Sequence, residues 1–267
     1  MEINKIYNEN CLDTMAKMPD NVIDVTVTSP PYDGLRKYNG YSFPFEDIAK
    51  ELFRITKDGG VLVWIIADQT KDGTESGTSF KQALYFKELG FNLHDTMIWN
   101  KPNAMPNVIK TRYRSSFEYM FVFSKGKPKT TNMIEEPCKY AGVSIKRTKG
   151  NVEAIGKQES KLTTKDTKIK SNVWDIIVAG TNYGHTAIFP EQLANDHILS
   201  WSNTGDLVYD PFLGSGTTAK MAIINKRKWI GSEISSEYCG IALTRIKECG
   251  GLFFNSFETK LSNEERN

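Results

Sequence analysis

The sequence predicts an α/β fold, a mostly parallel sheet with helices on both faces. Three observations predict it. Short β-branched or apolar runs alternate with segments of helical spacing along most of the chain. Val61 to Ile66 (VLVWII) is a continuous apolar run, the mark of a strand buried on both faces. Helical segments close at glycine, as at Asp58-Gly59-Gly60 and Gly90.

In chain order, Val22 to Thr28 (VIDVTVT) alternates and is rich in β-branched residues, so it reads as a strand. It stops at Ser29-Pro30-Pro31-Tyr32, because proline lacks an N–H and fixes φ. Phe45 to Lys57 has helical spacing, Val61 to Ile66 is the buried strand, and Phe80 to Leu89 is a helix. Leu93 to Trp99 and Phe117 to Phe123 are strands. Further on, Glu191 to Trp201 reads as a helix, Leu207 to Tyr209 as a strand and Thr217 to Asn225 as a helix. Trp229 to Glu233 is a strand, and a helix runs from Ser236 to about Cys249. There is no internal repeat, and the polar tail from Glu258 is expected to fray.

At 267 residues the chain is one large domain or two small ones, with 39% hydrophobic and 25% charged residues, ordinary for a globular protein. No apolar run approaches the roughly 18 residues that span a bilayer, and MEINKIYNEN is no signal peptide, so a soluble, cytoplasmic protein is expected, with no membrane partner. The four cysteines form no CxxC pair and lie far from the three histidines, which argues against a metal site or a disulfide framework. The net charge of +2 is uneven: residues 125–170 carry 12 Lys or Arg against 5 Asp or Glu, leaving 22 basic and 27 acidic residues elsewhere. A basic block on an acidic body suits a phosphate backbone, and equally a solvated surface insertion.

Residues 209–235 (YDPFLGSGTTAKMAIINKRKWIGSEIS) form a nucleoside-binding pattern. A short strand ends at Asp210, and Gly214 and Gly216 let a ligand approach the backbone. The helix from Thr217 offers amides to an anion or carboxylate, and Glu233 can accept hydrogen bonds from both hydroxyls of a ribose. Gly214, Gly216 and Ala219 also satisfy G-x-G-x-x-G/A, with Glu233 placed 19 residues after Gly214, as in a dinucleotide fold. Against a nicotinamide cofactor, the motif begins only about 55 residues from the C-terminus, and Ser29-Pro30-Pro31-Tyr32 is left without a role.

Together the two stretches resemble the DNA amino-methyltransferases that use S-adenosylmethionine. Ser29-Pro30-Pro31-Tyr32 resembles their catalytic motif and Asp210-Pro211-Phe212-Leu213-Gly214-Ser215-Gly216-Thr217 their cofactor loop. The order, catalytic motif first and cofactor motif last, is that of the family's β group. Ile6 to Met18, holding Asn10 and Cys11, resembles the segment before the catalytic strand, with Asn10 where many relatives carry Asp. Ile98 to Pro102 and Glu118 to Lys125 match two later strands, and His185 to Leu193, holding Thr186 and Phe189, resembles the motif that packs on the methionine end of the cofactor.

The resemblance implies a Rossmann-like methyltransferase sheet with an inserted target-recognition region. Residues 1–125 would be its catalytic part, 126–172 the basic insertion, 173–257 the cofactor-binding part and 258–267 the tail. The implied cofactor contacts are Asn10, Cys11, Thr186, Phe189, Asp210, Phe212, Gly214, Gly216, Thr217, Thr218 and Glu233. The implied reaction is attack of an exocyclic base nitrogen on a sulfonium methyl group. That nitrogen's lone pair is conjugated into the ring, so acceptors aimed at its two hydrogens make it more basic. The Ser29 hydroxyl and Pro30 carbonyl supply them, Pro30 and Pro31 hold the backbone still, and Tyr32 stacks on the flipped base. Ser before Pro-Pro goes mainly with cytosine N4 in the family, and Asp or Asn with adenine N6. Asp33 is either a proton acceptor or, with Gly34, a turn residue. The partner implied is double-stranded DNA, with a cognate restriction endonuclease as a functional counterpart and the chain a monomer or homodimer. Arg36, Lys37, Lys125, Lys146, Arg147 and Lys149 are the expected phosphate contacts, and Asn132, Tyr140, Arg147 and Gln158 candidate base readers. A DNA-binding protein with an inactive site is the third reading, and would show steep salt dependence without a methyl mark.

Overall fold

The computed structural model describes residues 1–31, 43–106, 111–149, 158–178 and 190–249. Along them run β1 (Lys5–Tyr7), α1 (Cys11–Ala16), β2 (Ile23–Thr28), α2 (Phe45–Ile55) and β3 (Thr56–Ile66). A tight pair follows, β4 (Thr70–Lys71) and β5 (Thr74–Glu75), then α3 (Thr78–Glu88), β6 (Asn92–Asn100) and β7 (Phe117–Ser124). Next come β8 (Glu135–Pro137), β9 (Ser144–Lys149), β10 (Gln158–Thr163) and β11 (Thr167–Ile169). The chain continues as β12 (Val173–Asp175), α4 (Glu191–Trp201), β13 (Leu207–Asp210), α5 (Thr217–Ile224), β14 (Lys228–Ser232) and α6 (Ser236–Cys249).

Eight strands form one sheet in the order β1-β14-β13-β2-β3-β7-β6-β12. Only β7 runs antiparallel to its neighbours, β3 and β6; the other pairs are parallel. This is the mostly parallel α/β sheet that the alternation predicts. β1, α1 and β12 go beyond that reading. At three to six residues each, they are too short to show a period.

Alternation along β3 divides the core. Leu62, Trp64 and Ile66 pack with Met15, Ile48, Leu52, Ile55 and Phe86 from α1, α2 and α3. Val61, Val63 and Ile65, also buried, point to the opposite face. There His197 of α4 meets the Met120 sulfur of β7 at 3.3 Å. Trp64, fully buried, must satisfy its indole N–H, which donates to Gln82 Oε1 at 2.8 Å.

The register of β2 against β3 shifts between Ile23 and Val25. Asp24, at the irregularity, accepts from Leu207 N at 2.9 Å and Lys57 Nζ at 2.7 Å. One carboxylate thus ties β2 to both flanking strands, and β13 pairs with β2 at Val208↔Val25 and Tyr209↔Thr26. The two strands end side by side where the chain order reverses, the place at which open α/β sheets bind ligands.

Residues Met133–Ser171 form a compact unit of their own, distinct from that of Met1–Asn132 and Asn172–Asn267. It holds two antiparallel pairs, β9 with β10 and β8 with β11. Residues 126–132 group with the larger unit. The tail from Glu258 lies outside the described residues. Among the described residues, no helix is long and apolar enough to cross a membrane.

Candidate active site

Ser29 and Pro31 are half-buried and Pro30 is buried, directly past the last residue of β2. Tyr32 lies outside the described residues, as do Asp33, Arg36, Lys37, Thr186 and Phe189. Beside this end of β2 is the end of β13. Thr28, fully buried, donates its hydroxyl to Asp210 Oδ1 at 2.6 Å, and Phe212 N–H donates to the same oxygen at 3.0 Å. Asp210 Oδ2 is buried with no partner among the described residues, since the Thr218 hydroxyl gives its one proton to Val27 O at 3.1 Å. Burial pushes the Asp210 carboxyl up to about 6, against the Thr28 hydroxyl and the Phe212 N–H, while the Glu233 charge adds to the rise.

The loop after Asp210 is fixed from three sides. Phe212 packs edge-on to Phe43 at 5.7 Å and Trp64 at 6.2 Å. Leu213 lies over Gly231 of β14, where a Cβ would come within 2.7 Å of its Cδ1. Arg245 of α6, 3% exposed, donates to Ser215 O at 2.7 Å, Ser215 Oγ at 2.6 Å and Thr217 Oγ1 at 3.1 Å. A lone glycine inside a strand signals close approach and could have pointed to Gly231. Nothing in a helical pattern distinguishes Arg245 from a solvated arginine.

Gly216 has φ +83°, and a Cβ there would sit 2.9 Å from Ala242 Cβ. Its missing side chain thus serves the contact between the start of α5 and α6. Substituting alanine for Gly216 is expected to cost about 2–4 kcal/mol, the sum of left-handed strain and a core clash. The pair Gly216→Ala, Ala242→Gly should recover at least about 1 kcal/mol relative to the sum of the single changes in a urea-melt cycle. Strict additivity would show that the clash is not what matters.

Glu233 is held by two amides: Oε2 accepts from Gly214 N at 2.8 Å and Oε1 from Ser235 N at 2.8 Å. Burial raises its pKa, and the amides oppose the rise. A carboxylate has about four lone-pair positions, so one on each oxygen remains for a ligand. Asn8 Nδ2 donates to Glu233 O at 2.8 Å and Ile234 O at 3.1 Å, bringing the Asn10–Cys11 segment alongside. Asn10 Oδ1 caps α1 by accepting from Leu12 N at 2.9 Å, and Cys11 is buried, 7% exposed. Thr217 and Thr218 are likewise engaged inside the protein, so what α5 can offer a ligand is its backbone N-terminus. That helix has no side-chain cap.

Two expected nucleic-acid contacts sit elsewhere. Lys125 Nζ donates to Asn21 Oδ1 at 2.8 Å and to Phe53 O and Thr56 O at 3.0 Å each. Three donors meet three acceptors at the end of α2, so this lysine caps a helix rather than a phosphate. Asn132 Nδ2 faces Leu199 O at 3.1 Å and Ser202 O at 3.2 Å, closing α4 rather than reading a base. Charge and position along the chain do not reveal such inward roles. Tyr140 is 61% exposed in the smaller unit. Lys146, Arg147 and Lys149 lie on β9 and Gln158 on β10, with Lys146 in register with Lys161.

A family model described as DNA methylase matches residues 23–244. The orphan methyltransferase M.BamHII of Bacillus amyloliquefaciens is 53% identical over 240 residues, covering 85% of this chain and 90% of that protein. The structure of PvuII DNA methyltransferase (cytosine-N4-specific) matches with TM-score 0.69 and 22% identity over 98% of this chain and 89% of that one. The crystal structure of M1.HpyAVI in complex with SAM matches with TM-score 0.62 and 20% identity over 91% and 98%.

Proposed function

We propose that this chain, which belongs to the N6- and N4-directed DNA methylase family, methylates the exocyclic N4 of cytosine in a specific double-stranded DNA sequence. As a member it is an S-adenosylmethionine-dependent DNA methyltransferase, and that replaces the nicotinamide reading. The observation that carries the proposal is the junction of β2 and β13. The 2.6 Å Thr28–Asp210 hydrogen bond sets Ser29-Pro30-Pro31 against the loop 210–216.

The residues present fit the cofactor. Glu233 keeps free lone pairs for ribose hydroxyls, Asp210 Oδ2 is a buried acceptor, and the uncapped start of α5 suits a carboxylate. Bound there, S-adenosylmethionine supplies a methyl group on a positively charged sulfur. Ser29 and the Pro30 carbonyl accept from the two hydrogens of the target amine and draw its lone pair out of conjugation. Tyr32 stacks on the base once it leaves the duplex. The choice of cytosine rests on Ser29 preceding Pro-Pro.

The smaller unit supplies target recognition. Its β9–β10 ribbon carries Lys146, Arg147, Lys149 and Lys161 along paired strands, a basic sequence suited to a phosphate backbone. A ribbon of this kind fits the major groove. Arg36, Lys37, Lys146, Arg147 and Lys149 meet phosphate. The word orphan in the name of the 53% identical relative favours a chain that works without a restriction endonuclease.

Labelled S-adenosylmethionine, mixed-sequence duplex and nucleoside mass spectrometry test this. N4-methylcytosine is the expected product. N6-methyladenine would keep the clamp and overturn the base, and an unmarked duplex would overturn both.

A further inference from the structure

We propose that Thr28 is a positioning residue: its hydroxyl, donated to Asp210, fixes the clamp at the end of β2 against the cofactor loop at the end of β13. The proposal rests on the reading of Ser29 and Asp210 given above. It concerns a residue outside both motifs.

Thr28 and Asp210 are 0% and 1% exposed, and 182 residues separate them in the chain. The strand pairing alone does not hold their ends together. Paired positions reach only Val208↔Val25 and Tyr209↔Thr26, two residues short of Thr28. Beyond the last ladder pair two side-chain bonds cross the junction, Thr218 to Val27 O at 3.1 Å and Thr28 to Asp210 at 2.6 Å, and only the second joins the strand ends directly. Its short length, 2.6 Å, suits a hydroxyl giving its proton to a carboxylate.

Thr26 supplies the internal comparison. It is on the same strand, is equally buried, and its hydroxyl has no hydrogen-bond partner among the described residues. A β-branched shape is thus all that position 26 uses, whereas position 28 uses the hydroxyl as well. Without it Asp210 Oδ1 keeps only the Phe212 N–H, and the second oxygen is already unpaired. The charged group facing Asp210 among the described residues is Glu233, whose charge works against ionisation. Loss of the Thr28 donor therefore moves Asp210 further toward its neutral form.

The test compares Thr28→Val, Thr28→Ser and Thr26→Val with wild type in three readouts. They are the melting temperature of the apoprotein from pH 5 to 8.5, S-adenosylhomocysteine binding over the same range, and kcat for methyl transfer. Thr28→Val is expected to lose about tenfold in kcat, 1.4 kcal/mol by the usual conversion. Its melting deficit should grow as pH rises through about 6, because the ionised carboxylate has lost a donor. Thr28→Ser should follow wild type, and Thr26→Val should differ by an amount that does not change with pH. A Thr28→Val protein that tracks Thr26→Val in all three readouts overturns the proposal. So does a Thr28→Ser protein with the full tenfold loss, which decides the matter if the valine variant does not fold. A wild type that methylates no DNA would sink the functional reading alone, because the apoprotein melts still score the link.

Discussion

Asp210→Asn is expected to melt higher than wild type at pH 7.5 while binding S-adenosylmethionine at least tenfold more weakly. The two effects have one cause. Burial lifts the carboxyl from its ordinary 3.8 to about 6. A carboxyl whose folded pKa lies above its unfolded one binds protons better when folded, so stability falls as pH rises between those two values. Two pKa units correspond to about 3 kcal/mol. Asparagine keeps an oxygen for Thr28 and Phe212 N–H and removes the buried charge. A gain of roughly 1–3 kcal/mol, at about 2–4 °C per kcal/mol for a chain of this size, is the expectation. The advantage should shrink as pH falls from 7.5 toward 4. A variant that melts lower than wild type at pH 7.5 would show that Asp210 is stabilising, and the argument from burial would fail. On the reading proposed above, the carboxylate is kept at this cost to offer an anion to the methionine ammonium, which asparagine does not supply.

Arg245→Met should lower stability by about 2–4 kcal/mol and weaken cofactor binding, although Arg245 is not among the proposed cofactor contacts. The guanidinium bridges two bodies: Nη1 holds Ser215 and Thr217, and Nη2 meets Glu191 Oε1 at 2.8 Å. Removing one partner of a buried charged pair costs roughly 3–5 kcal/mol. Here the figure is trimmed because Glu191 keeps Lys220 at 2.7 Å and is 42% exposed. Burial raises the Glu191 pKa, but hydrogen bonds from Lys220 and Arg245 bring it net below the ordinary value. Arg245→Lys keeps the charge but not the planar fork that serves both sides at once. It should recover less than half of the loss in a urea melt. Full recovery by lysine would mean that charge, and not geometry, holds the loop.

What the sequence disclosed follows from local physics. VLVWII shows β3 as a doubly buried strand, but β3 begins at Thr56, five residues earlier, passing through Gly59 and Gly60. The register jumps there from Ile23↔Thr56 to Val25↔Val61, Gly59 has φ +79°, and a Cβ at Gly60 would lie 2.9 Å from Lys57 O, so the chain folds back at those glycines and the turn survives as a bulge within β3. The antiparallel direction of β7 is invisible in EYMFVFSK, because direction depends on the chain between strands. The glycine loop and Glu233 are local signals and fall together in space, joined by the Gly214–Glu233 hydrogen bond. Thr28 and Arg245 carry no local signal because their partners are distant in sequence: Thr28 reads as one more β-branched residue, and Arg245 as one more helix charge. Lys125 and Asn132 are legible as polar residues near a basic block, yet most of their partners are main-chain oxygens at helix ends, and main-chain oxygens leave no trace in composition.

The pairing of β2 with β13 also has a temporal meaning. During synthesis, β2 emerges with β3 soon after, but its other edge stays unpaired until Leu207–Asp210 has been made. At 5–20 residues per second, the 182 residues between Thr28 and Asp210 take roughly ten to forty seconds to add. Throughout that interval the nascent chain carries an open, apolar strand edge and half an active site. On the reading proposed above, it can neither hold a cofactor nor mark a genome until its last third is in place. A truncated product is thus silent as an enzyme, and its exposed edge leaves it open to chaperones and proteases.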